Sequence, residues 1–152
     1  MRTVRRLGAM LALAVGGMTD GAAAQLTDSV QVSVAVPATV RAGRPVPIRV
    51  SLTNRLDRPV TLRVPPNQPP DWLVRVIAGG GLVVWLRRDF DTGFQRGVLT
   101  LPPRASVVRT IVWDQRDIEG RQVPRGVYRV WVFFYAPTLP RGRAAEAGLR
   151  IR

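Results

Sequence analysis

Apolar and polar residues alternate along most of this chain. Val30, Val32, Val34 and Val36 alternate with Gln31, Ser33 and Ala35, and Ile48, Val50 and Leu52 alternate with Arg49, Ser51 and Thr53. A period of two with one apolar face marks a half-buried antiparallel strand. The same alternation predicts short strands at Thr61–Val64, Trp72–Ala78, Leu82–Arg87 and Val98–Leu101, and stronger ones at Ser106–Asp114 and Val127–Tyr135. A marginal last strand is expected at Leu149–Arg152. Pro37, Ala42-Gly43, Asn54 to Pro59, Pro65 to Pro70, Gly79-Gly80-Gly81, Pro102-Pro103 and Gly120 to Gly126 interrupt the ladders as turns do. Beyond the N-terminal segment no window sustains a 3.6-residue apolar repeat, and Ala144 to Leu149 offers a helical turn at most. Seven to nine short strands at this spacing predict an all-β fold, an immunoglobulin-like antiparallel β-sandwich, with a small closed barrel as the alternative. Pro137 to Gly148 is poor in apolar residues and reads as a loose tail, with the core over about 30–136.

The N-terminal segment follows another pattern. Arg2, Arg5 and Arg6 precede the apolar run Leu7–Met18. That run is shorter than the roughly 20 residues that span a bilayer. Ala22-Ala23-Ala24 then sets small residues before Gln25, as signal peptidase requires. Residues 1–24 are therefore expected to be a cleaved signal peptide. Residues 25–152 are expected to form one exported domain, periplasmic or extracellular, with no transmembrane segment after cleavage. Arg5-Arg6 leaves twin-arginine export open beside the general route.

Composition narrows the chemistry. The 152 residues include 23 Lys+Arg and 10 Asp+Glu, with no His and no Cys, for a net charge of +13. No Lys is present, so every basic residue is Arg. Ser-His-Asp triads, Cys-His pairs, zinc sites built on His or Cys, and disulfides are all excluded. No catalytic residue, cofactor or metal is expected. Arg49, Arg75, Arg109 and Arg129 each sit among strand residues and read as a solvated sheet face. The aromatics do not predict a stacking platform of the kind RNA-recognition sheets use, so no nucleic-acid partner is expected. A basic face favours weak, salt-sensitive contact with anionic surfaces.

Several short constellations invite a chemical reading. Asp89-Phe90-Asp91-Thr92-Gly93 begins like a calcium loop but lacks the later ligands, and Arg87, Arg88 and Arg96 flank it. Asp91-Thr92-Gly93 spells the aspartic-protease triplet without the apolar residues that should precede it. Asp114, Asp117 and Glu119 share a loop with Arg116 and Arg121 and read as solvated ion pairs. Trp72, Trp85, Trp113 and Trp131 lie on four predicted strands, and at least three are expected in the core. Tyr128, behind Pro124-Arg125-Gly126-Val127, is expected to be a corner tyrosine whose hydroxyl bonds back to the backbone.

The order of these landmarks resembles the intracellular proteinase inhibitor (BsuPI-like) family. The residues that carry the resemblance are Leu52-Thr53-Asn54, Val60-Thr61-Leu62, Asp71-Trp72, Gly81, Val84-Trp85, Phe94-Gln95, Leu101-Pro102-Pro103, Trp113 and Pro124-Arg125-Gly126-Val127-Tyr128. They run from about Val46 to Phe134. Arg104 stands where the family carries a turn glycine. The resemblance implies a non-enzymatic domain that binds a protein partner and inhibits a protease through an inter-strand loop. The first candidate is the proline-rich loop with Pro66, Asn67, Gln68 and Pro69, because proline pre-sets φ and lowers the entropy lost on docking. The second holds Phe90, Phe94, Gln95 and Arg96. The alternative function is a cell-envelope module that binds a protein or an anionic surface without inhibition.

Overall fold

The structure is a computed structural model and describes residues 29–63, 71–89, 98–136, 139 and 143–152. Ten strands are described: β1 (Val30–Ala35), β2 (Thr39–Val40), β3 (Val46–Asn54), β4 (Val60–Arg63), β5 (Asp71–Ala78), β6 (Val83–Asp89), β7 (Val98–Leu101), β8 (Ser106–Trp113), β9 (Gly126–Tyr135) and β10 (Arg143–Ile151). One sheet has the order β1-β3-β8, a second β2-β10-β9-β5-β6, and β4 pairs with β7. All pairings are antiparallel except β2 with β10, which is parallel. The chain is therefore an immunoglobulin-like β-sandwich. Both larger sheets keep edge strands, so the described ladders do not close into a barrel.

Alternation decides which side chains face inward. On β3, Val46, Ile48, Val50 and Leu52 are fully buried while Pro47 and Arg49 face water. Trp72, Val74 and Val76 of β5 and Val130, Val132 and Phe134 of β9 line the facing layer. Trp72 packs on Phe134 with ring centroids 4.8 Å apart, and Trp113 meets Tyr128 edge-on at 5.8 Å. Trp85 packs partly buried against the core, at 6.4 Å from Trp113. Three of the four tryptophans thus serve the core, as expected. The fourth, Trp131, is half-buried on the opposite face of β9.

Two buried polar side chains join the loops. Asn54, at the end of β3, donates through Nδ2 to the carbonyls of Arg58 (2.8 Å), Leu101 (3.0 Å) and Pro102 (2.9 Å). Its Oδ1 accepts from the Leu56 N–H at 2.9 Å. The β3–β4 and β7–β8 turns are thereby tied together where the β3–β8 ladder passes into β4–β7. Tyr128 Oη donates to the Pro124 carbonyl at 2.6 Å, so it is the expected corner tyrosine.

Four expectations are corrected. From Arg143 onward the C-terminal segment is not a loose tail, nor does Ala144 to Leu149 form a helical turn. β10 pairs with β9 from Arg143 to Ile151, and Leu149 and Ile151 are buried. Small residues there reduce the apolar signal, but the ladder hydrogen bonds are independent of side-chain type. Arg109 is not on a solvated face. It shares the parity of Ile111 and Trp113, pairs with buried Val50, and its Nε is buried with no hydrogen-bond partner. The ten strands exceed the expected seven to nine because two-residue β2 carries too short a pattern to be read.

Candidate functional site

The loop residues singled out from the sequence, Pro66, Asn67, Gln68, Pro69, Phe90, Phe94, Gln95 and Arg96, lie outside the described residues. So do the rest of the calcium-like and Asp-Thr-Gly segments beyond Asp89. The strand ends that flank both loops are described. Arg63 pairs with Val98, and Trp72 pairs with Asp89. Both loops therefore leave from adjacent ladder positions at one pole of the sandwich.

The acidic loop after β8 is a knot of ion pairs. Arg121 Nε lies 3.0 Å from Asp117 Oδ2, and its Nη2 lies 2.7 Å from Glu119. Asp117 Oδ1 also accepts the backbone N–H groups of Glu119 and Arg121, each at 2.9 Å. These bonds, the Arg121 N–H foremost, hold the Asp117 carboxyl below its ordinary range. Asp57 is lowered likewise by its hydrogen bond from Arg104. Carboxylates so engaged are poorly placed to act as general bases. Among the described residues no group of three acidic, His or Cys side chains could hold a metal.

The outer face of the five-stranded sheet has a different character. Odd-numbered residues of β9 point outward, away from buried Val130, Val132 and Phe134. Trp131 and Phe133 stack there with centroids 5.6 Å apart and planes within 6°. Arg75, the register partner of Trp131 on β5, places its guanidinium carbon 5.1 Å from the Trp131 ring centroid. On the other side Glu146 of β10 opposes Trp131 and lies 3.4 Å from Arg129 Nη1. Leu86 opposes Arg75 from β6 and is exposed, as are Val127 and Tyr135. Ala144 and Gly148, opposite Phe133 and Arg129, keep the β10 side of this face low.

The sequence did not point to this group. β9 is apolar at both parities, so Trp131 could not be assigned a face, and Arg75 and Trp131 meet only through strand pairing. A cation over an exposed ring contributes about 0.5–1 kcal/mol, so the group is held modestly and can rearrange around a partner.

No protein-family model matches the chain, and no curated protein matches it by sequence. Solved structures do match. The alkylpurine DNA glycosylase AlkC of Pseudomonas fluorescens, bound to DNA containing an abasic site analog, is similar at 18% identity and a TM-score of 0.44. That match covers 82% of this chain and 30% of the glycosylase chain, so the domain spans under a third of that protein. The CARDB domain of PF1109 from Pyrococcus furiosus is similar at 16% identity and a TM-score of 0.44, over 81% of this chain and 87% of that one. The C-terminal domain of wzt is similar at 7% identity and a TM-score of 0.50, over 82% of this chain and 74% of that one. At such identity the likeness is one of fold, and function has to be argued from this chain's own surface.

Proposed function

We propose that the chain is an exported, non-enzymatic binding domain that takes a protein partner on the outer face of its five-stranded sheet. The observation that carries this reading is the half-buried group Arg75, Trp131 and Phe133, extended by exposed Leu86 and Tyr135. Trp, Tyr and Arg are the residue types that dominate interface energetics. Arg75 and Arg129 outweigh Glu146 across this face, which favours an acidic partner surface. A non-enzymatic role is supported by the lack of His and Cys in the sequence and by the ion pairs of the acidic loop.

A second reading is protease inhibition of the BsuPI-like kind through Pro66, Asn67, Gln68 and Pro69. It is favoured by the pairing of Arg63 with Val98 and of Trp72 with Asp89, which starts both candidate loops side by side. A single titration separates the two. The chain is added to envelope serine, cysteine, aspartic and metalloproteases at low and moderate salt, and hydrolysis of a small substrate is followed. Stoichiometric inhibition that is lost when residues 65–71 become Gly and Ser, but survives Trp131→Ala, assigns the loop. Inhibition lost in Trp131→Ala and Arg75→Glu assigns the face. Absence of inhibition in every class removes the inhibitor reading. The face reading fails if those two substitutions leave a one-to-one complex with an isolated envelope partner undiminished.

A further inference from the structure

The pole opposite the candidate loops holds an open depression of about 590 Å³ lined by the exposed residues Arg41, Ala42, Arg125 and Arg152. The ladders fix its place: Gly126 pairs with Ile151 at one end of β9, and Asp71 pairs with Tyr135 at the other. Three guanidinium-bearing residues from three separate segments meet here. The segments are the β2–β3 turn, the β8–β9 loop and the residue that follows β10.

Each of the three backbones is fixed by a separate device. Buried Gln115 donates from Nε2 to the carbonyls of Arg41 (2.9 Å) and Arg44 (2.6 Å), and its Oε1 accepts the Gly43 N–H at 2.9 Å. Gln115 reaches this turn from a left-handed backbone conformation, φ 62°, which costs some strain in a non-glycine residue. Arg152 donates its N–H to Val40 (3.0 Å) and accepts from the Ala42 N–H (2.8 Å). Arg125 lies between Pro124, held by the Tyr128 hydroxyl, and Gly126, paired into β9 and β10. Fixed backbones lower the ordering cost of gathering three like charges around a ligand.

Among the described residues no side-chain carboxylate pairs with the guanidinium groups of this site. Asp57 pairs with Arg104, Asp114 with Arg116, Asp117 and Glu119 with Arg121, and Glu146 with Arg129. Every carboxylate whose side chain is described is engaged elsewhere, and no ion pair involves Arg41, Arg125 or Arg152. Guanidinium groups bind oxyanions through parallel N–H donors. A carboxylate offers two oxygens, whereas a phosphate monoester offers three strong acceptors and nearly two charges. The number of cations matches the second. The lining residues are all exposed, so the site is an open depression that admits more than a bare ion.

We infer that Arg41, Arg125 and Arg152 form a binding site for a phosphate monoester group carried on a larger molecule. This site is independent of the outer-face reading. The test follows backbone amide resonances of the full chain at low salt during titration with inorganic phosphate and with glycerol 3-phosphate. Saturable shifts at Ala42, Gly43 and Gly126 are expected. Arg125→Gln and Arg41→Gln should each weaken binding about tenfold or more, as loss of a charged hydrogen-bond donor does. Arg55→Gln, which removes one charge from an exposed position elsewhere, should change it less than twofold. Equal weakening by Arg55→Gln, or shifts spread over all arginine-rich surfaces, overturns the site. Co-sedimentation with phosphatidylcholine vesicles containing phosphatidate or phosphatidylglycerol distinguishes the sources. Preference for phosphatidate that Arg125→Gln abolishes supports a lipid-borne monoester. Binding of glycerol 3-phosphate without vesicle binding supports a soluble one.

Discussion

Asn54 shows how one buried amide organises two turns. Its side chain serves three carbonyls and one N–H, and the amide itself and its bond to the Leu101 carbonyl are buried away from water. Asn54→Ala should therefore lower stability by about 2–3 kcal/mol, read from urea unfolding followed by tryptophan fluorescence. Tyr128 is a smaller case. Losing its bond to Pro124 in Tyr128→Phe should cost about 1 kcal/mol near neutral pH. Burial raises the Tyr128 hydroxyl above its ordinary 10.0, because the phenolate would be desolvated. The folded state then holds this proton more tightly than the unfolded chain. The contribution is complete below about pH 10 and is lost as pH rises through the raised value. The stability gap between wild type and Tyr128→Phe should narrow above pH 10, and a constant gap would contradict this assignment. The Tyr128 role follows from the local pattern of turn and strand residues, whereas that of Asn54 does not. Asn54 reads as a turn residue, and only its burial shows that it bridges two turns.

At the scale of elements, β10 is the informative strand. Its first half is small and polar, yet its end carries Leu149 and Ile151 into the core and its last two residues hold β2 in parallel. Leu149→Ala should cost about 2–5 kcal/mol by the same unfolding measurement. A loose tail would show no loss. On β9 the contrast runs the other way. Trp131→Ala removes a large aromatic but should cost less than Leu149→Ala, about 1–2 kcal/mol, since the ring lies partly buried on the outer face and not in the core. A stability loss comparable to that of Leu149→Ala would mean that Trp131 is core. The strands themselves were legible because period two is a local signal. The side on which Trp131 or Arg109 falls was not, since β8 and β9 are apolar at both parities and the facing sheet decides.

For the whole molecule, charge is the dominant feature. With 23 Lys+Arg against 10 Asp+Glu, repulsion among arginines opposes the compact state. The exposed ion pairs among the described residues, each worth about 0–1 kcal/mol, are too few to offset it. Raising ionic strength from about 0.01 M to about 0.15 M shortens the screening length from about 30 Å to about 8 Å. The Tm should therefore rise over that range in thermal unfolding by circular dichroism. A fall would mean that the ion pairs outweigh the repulsion.

The amino-acid sequence by itself determined the sandwich class, most strand positions, the corner tyrosine and the exclusion of His and Cys chemistry, because each rests on periodicity, turn residues or composition. Only the tertiary structure decided which faces meet and which residues converge. Arg75 meets Trp131 through register, Gln115 braces a turn far away in sequence, and Arg41, Arg125 and Arg152 gather at one pole through the parallel joining of β2 to β10. Such convergence depends on long-range pairing, and no local pattern of apolar and polar residues encodes it.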